Sequence, residues 1–186
     1  RAESADCGGV VVVHGTDTMA YTASVLGFLL ADLGKPEGYV KRQIEGWSDR
    51  YEKALTPDAP AWEAVKTWLR EKMPADHHKP GIVHNDYRFD NVILDADNPM
   101  RIIGVLDWEM ATLGDPLMDL GNSLAYWIEA DDPAPVQLMR RQPSNAPGML
   151  TRRQFVDYYA ERAGIQIDNF DFYYVYGRSE ERRVGK

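Results

Sequence analysis

Short apolar segments that end in polar side chains constrain the fold of this chain more than any other feature. The predicted strand at 81–84 ends at His84, which forms the spacing H-x-D-x-x-x-x-N with Asp86 and Asn91. Asp107 follows the next predicted strands along the chain. Because the chain turns where each strand stops, two strand ends deliver three oxygen-bearing side chains to one place.

This set of side chains suits phosphoryl transfer. In that reaction the protein positions a hydroxyl, places an acceptor near the departing proton and neutralises phosphate charge with magnesium. Asn and Asp supply the hard oxygen ligands that magnesium needs. A plainer interpretation stays open, in which His84 ends a strand, Asp86 and Asn91 are turn residues and Asp107 caps a helix. Turn chemistry alone does not require Asp86, Asn91 and Asp107 to lie together at the ends of successive strands.

Most of the remaining chain is predicted to be helical, because apolar residues recur every three or four positions among charged ones. The predicted helices occupy 40–55, 62–73, 117–130 and 151–164. The last of these begins at Thr151, whose side chain can cap the backbone amides while Gln154 reaches back to it. Gly164 is expected to end that helix.

The strands are fewer and shorter. A polar turn makes the predicted strands at 91–95 and 101–106 a hairpin. The stretch 131–148 is rich in proline and glycine and is predicted to be a loop. Four valines at 10–13 and an apolar helix at 19–33 predict a separate β-α unit. The fold class that follows is α+β.

Composition excludes several classes of partner. The 186 residues carry 21 basic and 29 acidic side chains, and a net charge of -8 disfavours the basic surface that nucleic acid requires. No apolar stretch approaches the roughly 20 residues that span a membrane. The single Cys7 cannot form an internal disulfide, which favours the cytoplasm. No protein partner is predicted.

The chain resembles the aminoglycoside phosphotransferase and choline kinase family, distant relatives of the protein kinases, over about residues 34–177. The resemblance rests on the segments 84–91 (HNDYRFDN), 106–109 (LDWE) and 114–120 (GDPLMDL). It implies the C-terminal lobe of a protein-kinase-like fold, mostly helical with a small β-hairpin. It also implies ATP and Mg²⁺ as cofactors and a small-molecule hydroxyl as the phosphate acceptor.

The family's residue roles carry over to matching positions. By resemblance, Asp86 is the base that accepts the substrate hydroxyl proton, and His84 braces its loop. Asn91 and Asp107 hold the magnesium that bridges the ATP phosphates. Asp119 resembles the structural carboxylate under the catalytic loop.

Other positions refine the resemblance or depart from it. Asp115 resembles a turn former ahead of the following helix. Asn85 stands where the family usually has Gly, although Asn tolerates unusual backbone angles better than most residues. The form Asp-Tyr-Arg-x-Asp-Asn and the segment Glu-Gly-Tyr at 37–39 resemble a branch found alone in bacteria or fused to acyl-CoA dehydrogenases. That branch acts on hydroxylated acyl compounds.

A nucleotide-binding lobe is not recognisable in the sequence. Kinases of this kind need a glycine-rich strand-turn-strand, a strand lysine for the phosphates and a helix glutamate that pairs with it. No segment before residue 84 has this pattern. We therefore expect this chain to be a truncated fragment that binds Mg-ATP weakly at best and is inactive.

The region before residue 37 resembles a different family. The segment 9–23 (GVVVVHGTDTMAYTA) and its continuation to Leu33-Gly34-Lys35-Pro36 are similar to a signature of bacterial L-asparaginases. By resemblance to that family, Thr16 and Asp17 would contact the substrate and activate water or the nucleophile. The partner Thr-Gly-Gly-Thr motif of the family is missing from this chain. An asparaginase-type amidohydrolase fragment is therefore an alternative function, and a noncatalytic helical binding module is another.

These resemblances predict three parts of the chain. Residues 1–36 are expected to be a β-α fragment of foreign origin, and residues 37–177 a truncated phosphotransferase lobe. Residues 178–186 (RSEERRVGK) resemble a translated sequencing adapter and are expected to be a non-native tail. Without that resemblance, a solvated charged helix end would be the simplest interpretation.

Overall fold

A computed structural model describes residues 35–58, 60–75 and 79–184, with only the backbone for 180–184. Within these ranges the helices are α1 (Tyr39–Lys53), α2 (Glu63–Glu71), α3 (Pro116–Ala125), α4 (Ala134–Gln137), α5 (Arg152–Ala163) and α6 (Phe170–Val184). The strands are β1 (Gly81–Val83), β2 (Val92–Leu94), β3 (Ile102–Val105) and β4 (Thr112–Gly114). The predicted β-α unit, with Thr16 and Asp17, lies outside the residues described.

The strands form two antiparallel pairs. β2 pairs with β3, with Val92 opposite Val105, and this is the predicted hairpin. β1 pairs with β4, with Gly81 opposite Gly114. β4 was not predicted, because three residues are too few to show an alternating pattern and the partner strand is distant in sequence. The α+β class is confirmed.

The centre of the fold is the crossing of α3 and α6. A Cβ atom built on Gly121 would lie 2.3 Å from the Tyr173 carbonyl oxygen, and one on Gly177 would lie 2.4 Å from the Gly121 carbonyl oxygen. Glycine at both positions therefore lets the two backbones touch. The buried apolar residues around this crossing are Tyr39, Val40, Ile44, Trp47, Leu69, Val83, Leu117, Met118, Leu120, Leu124, Trp127, Val156, Phe172, Tyr173 and Tyr176.

The two N-terminal helices pack onto this centre. The apolar face of α1 includes Ile44 and Trp47, and the Trp47 indole donates a hydrogen bond to the Ser179 carbonyl of α6 at 3.1 Å. Lys66 of α2 is buried, and its ammonium lies 3.0 Å from Glu52 of α1 and 2.6 Å from Glu63. The ion pairs offset the cost of burying that charge.

The structure differs from the predicted secondary structure in three places. α3 ends at Ala125 rather than at 130, because side chains take the next backbone amides: Ser144 Oγ accepts from Ile128, and Asp132 accepts from Glu129. The predicted loop at 131–148 contains the short helix α4. α6 was missed because its run of aromatic residues is buried on several sides and shows no clear amphipathic period.

The last predicted helix has the expected ends. The Thr151 hydroxyl accepts a hydrogen bond from the Gln154 amide at 3.1 Å, and the Gln154 side chain accepts one from the Thr151 amide at 2.9 Å. Gly164 ends the helix with a φ of 63°. Among the described residues, no helix has both the length and the apolar character needed to cross a membrane.

Candidate active site

The loop after β1 is held by a carboxylate from the first turn of α3. Asp115 caps that helix, because its Oδ1 accepts a hydrogen bond from the Leu117 amide at 2.9 Å. One turn later, Asp119 Oδ2 accepts from the His84 amide and Oδ1 from the Asn85 amide, both at 2.8 Å. Burial raises the pKa of Asp119, and the two amides oppose that effect. α3 thus fixes the start of the loop.

The His84 ring connects this loop to the end of β3. Its Nε2 lies 2.7 Å from the Leu106 carbonyl oxygen, and its Nδ1 accepts a hydrogen bond from the Asp86 amide at 3.2 Å. Both contacts are satisfied by the tautomer with hydrogen on Nε2. The ring is buried, and its centre lies 4.8 Å from that of Trp108.

Asn91 joins the two polar strand ends. Its side-chain amide donates to the Asp86 backbone oxygen at 2.7 Å and to Asp86 Oδ2 at 3.1 Å. The Asn91 backbone carbonyl oxygen accepts a hydrogen bond from the Leu106 amide at 2.8 Å, and Leu106 immediately precedes Asp107. Asn91 is buried, whereas Asp107 is exposed. The structure therefore links Asp86 to Asn91 directly and brings the loop that carries Asp107 to the same place through Leu106.

Backbone strain accompanies these residues. Among the described non-glycine residues only three have positive φ: Asn85 at 64°, Asp107 at 61° and Trp62 at 54°. The first two lie in the loops that carry the candidate site, where unusual backbone conformations are often held for function. The Asn at position 85 therefore adopts a backbone geometry that suits the Gly expected there.

Asp115 lies beneath the site rather than in it. It is buried, and its Oδ2 accepts a hydrogen bond from the Tyr173 hydroxyl of α6 at 3.2 Å. Burial, together with the Asp115 charge, raises the pKa of Tyr173, so this hydroxyl stays a donor. The predicted turn former therefore also connects α3 to α6.

Sequence reasoning missed Arg88. Its Nε lies 3.0 Å from Asp86 Oδ1, and its Nη2 lies 3.1 Å from Asp90 Oδ2. The Nε contact is not aligned as a hydrogen bond, so it is an ion pair. The guanidinium also lies over the Tyr126 ring, 4.9 Å from its centre. An arginine between two aspartates in the loop was the available signal.

Comparison with known proteins identifies the family. A model described as "Phosphotransferase enzyme family" matches residues 14–155. The chain belongs to this family. The match begins well before residue 37, inside the segment that resembles asparaginase, so the expected boundary at residue 36 remains a prediction.

Relatives of this member of the family include parts of much longer proteins. Human acyl-CoA dehydrogenase family member 11 is 30% identical over 168 residues, which is 88% of this chain and 21% of that protein. Mouse acyl-CoA dehydrogenase family member 10 is 33% identical over 163 residues, covering 87% of this chain and 14% of that protein. The chain therefore spans about a fifth or less of these relatives.

A solved structure confirms the kinase-like fold class expected from the sequence. A Ralstonia eutropha protein assigned as an aminoglycoside phosphotransferase superposes with a TM-score of 0.64 at 33% identity, over 86% of this chain and 47% of that protein. A separate match is short: Escherichia coli L-asparaginase 1 is 61% identical over 36 residues, which is 19% of this chain and 11% of that protein. This agrees with the second resemblance stated above.

The candidate site offers few protein ligands for a metal. Among the described residues, no three His, Cys, Asp or Glu side chains are grouped to hold an ion. Asn91 turns its amide nitrogen to Asp86, so its Oδ1 is the atom suited to a cation. One amide oxygen and one exposed carboxylate fit magnesium, which is usually bound by one or two carboxylates together with substrate phosphates.

Proposed function

We propose that the parent enzyme of this chain transfers the γ-phosphate of ATP to a hydroxyl group of a small molecule. The main support for the proposal is the hydrogen bond between the Asn91 and Asp86 side chains. A second hydrogen bond, from the Leu106 amide to Asn91, joins the loop of Asp107 to this pair. This unit combines a carboxylate that can accept a proton with two oxygen side chains that can hold magnesium.

In this proposal each residue has a separate task. Asp86 accepts the proton of the substrate hydroxyl as the phosphate is transferred. Asn91 orients Asp86 through its amide nitrogen, while His84 holds the loop to β3. Magnesium bound at Asn91 and Asp107 would neutralise phosphate charge. Arg88 also holds the Asp86 carboxylate and brings positive charge to the site.

The acceptor is proposed to be a hydroxylated acyl compound. Two relatives are named acyl-CoA dehydrogenase family members, which favours an acyl substrate for the matched segment as well. A cavity of about 190 Å³ lies beside the catalytic loop, and Arg88, Phe89, Trp127 and Phe155 are among its lining residues. An apolar cavity next to a cation suits an alkyl chain with a polar end.

Two assays test this proposal. The first titrates the chain with Mn²⁺, with and without ATP, and follows free Mn²⁺ by electron paramagnetic resonance; Asp107→Asn should weaken binding. The second uses the intact parent enzyme rather than this chain: it measures phosphate transfer from millimolar ATP to a panel of hydroxyacyl compounds, and Asp86→Asn should abolish that transfer. Asp97→Asn, an exposed carboxylate in the hairpin turn, is the matched control. Equal effects of all three substitutions would reject the proposed site.

We also infer that this chain alone binds Mg-ATP weakly and is inactive, because its sequence lacks a recognisable glycine-rich strand-turn-strand before residue 84. Calorimetry tests this inference directly. Micromolar affinity for Mg-ATP would overturn it and would require that another part of the chain supplies the phosphate contacts.

The match to Escherichia coli L-asparaginase 1 favours one second candidate, an amidohydrolase fragment. Ammonia release from asparagine that is lost in Thr16→Ala but kept in Asp86→Ala would select it. We propose instead that residues 1–36 and 178–186 are foreign to the phosphotransferase segment. Amplification of genomic DNA across codons 30 to 45 tests the first junction, and a single intact product would contradict a chimera.

A further inference from the structure

The side chain of Asn85 connects three separate parts of the fold. Its Oδ1 accepts a hydrogen bond from the Tyr39 hydroxyl of α1 at 3.1 Å. Its Nδ2 donates to the Met110 carbonyl oxygen at 2.9 Å. These contacts span 46 and 25 positions of sequence, so they are products of the tertiary fold rather than of a local turn. A glycine at position 85 could make neither of them.

Both the residue and its first partner are held firmly. The Asn85 backbone amide donates to Asp119, its left-handed backbone conformation sets the direction of its Cα–Cβ bond, and two hydrogen bonds hold its side-chain amide. Tyr39 is 4% exposed, and its ring covers Gly114 of β4 so closely that a Cβ there would lie 2.6 Å from the ring. The side-chain amide of Asn85 is therefore aimed at Met110 from a rigid base.

Met110 is the far end of the loop that presents Asp107. A 3-10 turn runs from Trp108 to Met110, directly after Asp107, and the Ala111 amide closes it on the Trp108 carbonyl at 3.0 Å. The near end of the loop is fixed by the contact between Leu106 and Asn91. The Asn85 side chain thus fixes the other end.

We propose that Asn85 is a positioning residue that sets where Asp107 presents its carboxylate to a divalent cation. This inference rests on the proposed function, because it assumes that Asp107 binds the cation. One neutral hydrogen bond of this kind corresponds to a change of roughly 2- to 10-fold in an equilibrium constant. Without it, the Asp107 loop has more conformations, and fewer of them suit the cation.

The test compares Asn85→Gly with the unaltered chain. Glycine keeps the left-handed backbone and removes only the side-chain contacts. We expect Mn²⁺ binding, followed by electron paramagnetic resonance, to weaken roughly 2- to 10-fold. We also expect Asn85→Gly to speed backbone hydrogen exchange in 107–111 relative to the unaltered chain, while exchange in α3 stays the same. Tyr39→Phe, which keeps the ring over Gly114 and removes one hydroxyl, should give a smaller change in the same direction.

A control variant separates positioning from general destabilisation. Val156→Ala removes core volume in α5, a different element from this loop, and should lower the unfolding midpoint without changing exchange in 107–111 or Mn²⁺ binding. If Asn85→Gly and Val156→Ala give the same pattern, Asn85 is only structural and the inference fails. If Asp107→Asn leaves Mn²⁺ binding intact, the proposed cation site itself fails, and this inference fails with it.

Discussion

The side-chain amide of Asn91 donates a hydrogen bond of 3.1 Å to the Asp86 carboxylate, so the candidate metal ligand also orients the candidate base. The same nitrogen lies 2.7 Å from the Asp86 backbone oxygen. The Asn91 NH₂ group thus faces two oxygen atoms of Asp86. A carboxylate oxygen in its place would face the negative Asp86 carboxylate and repel it. The orientation of Asp86 therefore depends on one NH₂ group.

Asn91→Asp makes that replacement with almost no change in shape. We expect a loss of about 1–3 kcal/mol in the free energy of unfolding at pH 7. Two facing carboxylates raise the pKa of one of them, so the folded variant takes up a proton as pH falls. The lost stability should then be partly recovered between pH 7 and about pH 4. Urea denaturation across this range measures it.

Asn91→Ala is the control for this experiment, because it removes the donor and adds no charge. Its unfolding free energy should lie below that of the unaltered chain by the same amount at every pH. Parallel profiles for Asn91→Asp and Asn91→Ala would contradict the proposed contact between the two carboxylates.

Asp119 should carry much of the stability of the catalytic loop. Asp119→Ala leaves the His84 and Asn85 amides without their acceptor, and we expect a loss of about 2–4 kcal/mol in unfolding free energy at pH 7. Asp119→Asn keeps one acceptor oxygen and should lose less. Denaturant titration of the three proteins gives the ranking, and an equal loss in both variants would show that the acceptors are not what matters.

The same carboxylate makes a pH-dependent contribution. Because burial raises the pKa of Asp119 in the folded protein, the folded state binds a proton that the unfolded state has released. Its contribution to stability therefore falls as pH rises from about 3.9 through the raised pKa. Asp119→Ala should lack this slope. An identical slope in the variant between pH 4 and 6 would argue against the raised pKa.

The local elements of the fold were largely predictable. α1 and α2 each bury one face, so their period of three to four residues is visible in the sequence. Thr151, Gln154 and Gly164 predicted both ends of α5, because caps act through neighbouring backbone groups. The spacing of His84, Asp86, Asn91 and Asp107 predicted the candidate site. The structure shows contacts among the first three, whereas the Asp107 loop is joined to them through Leu106.

Long-range relationships were not predictable in the same way. β4 exists because β1 pairs with it, and no pattern within Thr112–Gly114 shows this. α6 is the central helix, and its contact with α3 depends on two glycines whose role is visible only when the backbones are side by side. The contacts of Arg88 and of the Asn85 side chain likewise depend on tertiary placement.

Replacement of glycine by alanine should have opposite effects at the crossing of α3 and α6 and in α1. A methyl group at Gly121 would overlap the Tyr173 backbone, which cannot move without separating the helices. Gly121→Ala should therefore cost about 1–3 kcal/mol or more. Gly46→Ala, within α1, meets only the flexible end of Arg50 and should stabilise the protein by about 0.5–1 kcal/mol. Thermal unfolding should move in opposite directions, and a shared direction would refute the packing argument.

The ion pair of Arg152 and Asp132 should control stability in acid. The guanidinium nitrogens lie 2.6 and 2.8 Å from the two Asp132 oxygens, and this hydrogen bonding lowers the pKa of Asp132. The contribution is then present above the unfolded value of about 3.9 and is lost as pH falls through the lower folded value. Asp132→Asn should cost about 1.5–3 kcal/mol at pH 7, a deficit that shrinks below pH 4.

Asp157→Asn provides the comparison for that experiment, because Asp157 makes an exposed ion pair with Arg153 at 3.1 Å. The side chains of this pair are 60% and 86% exposed, against 11% and 22% for Asp132 and Arg152. Water and salt screen the exposed pair, so its loss should cost at most about 0.5 kcal/mol at any pH. Acid titrations in low and moderate salt distinguish the two: only the Asp132 deficit should persist in salt. If both deficits are equal and salt-sensitive, the burial of the Asp132 pair does not contribute.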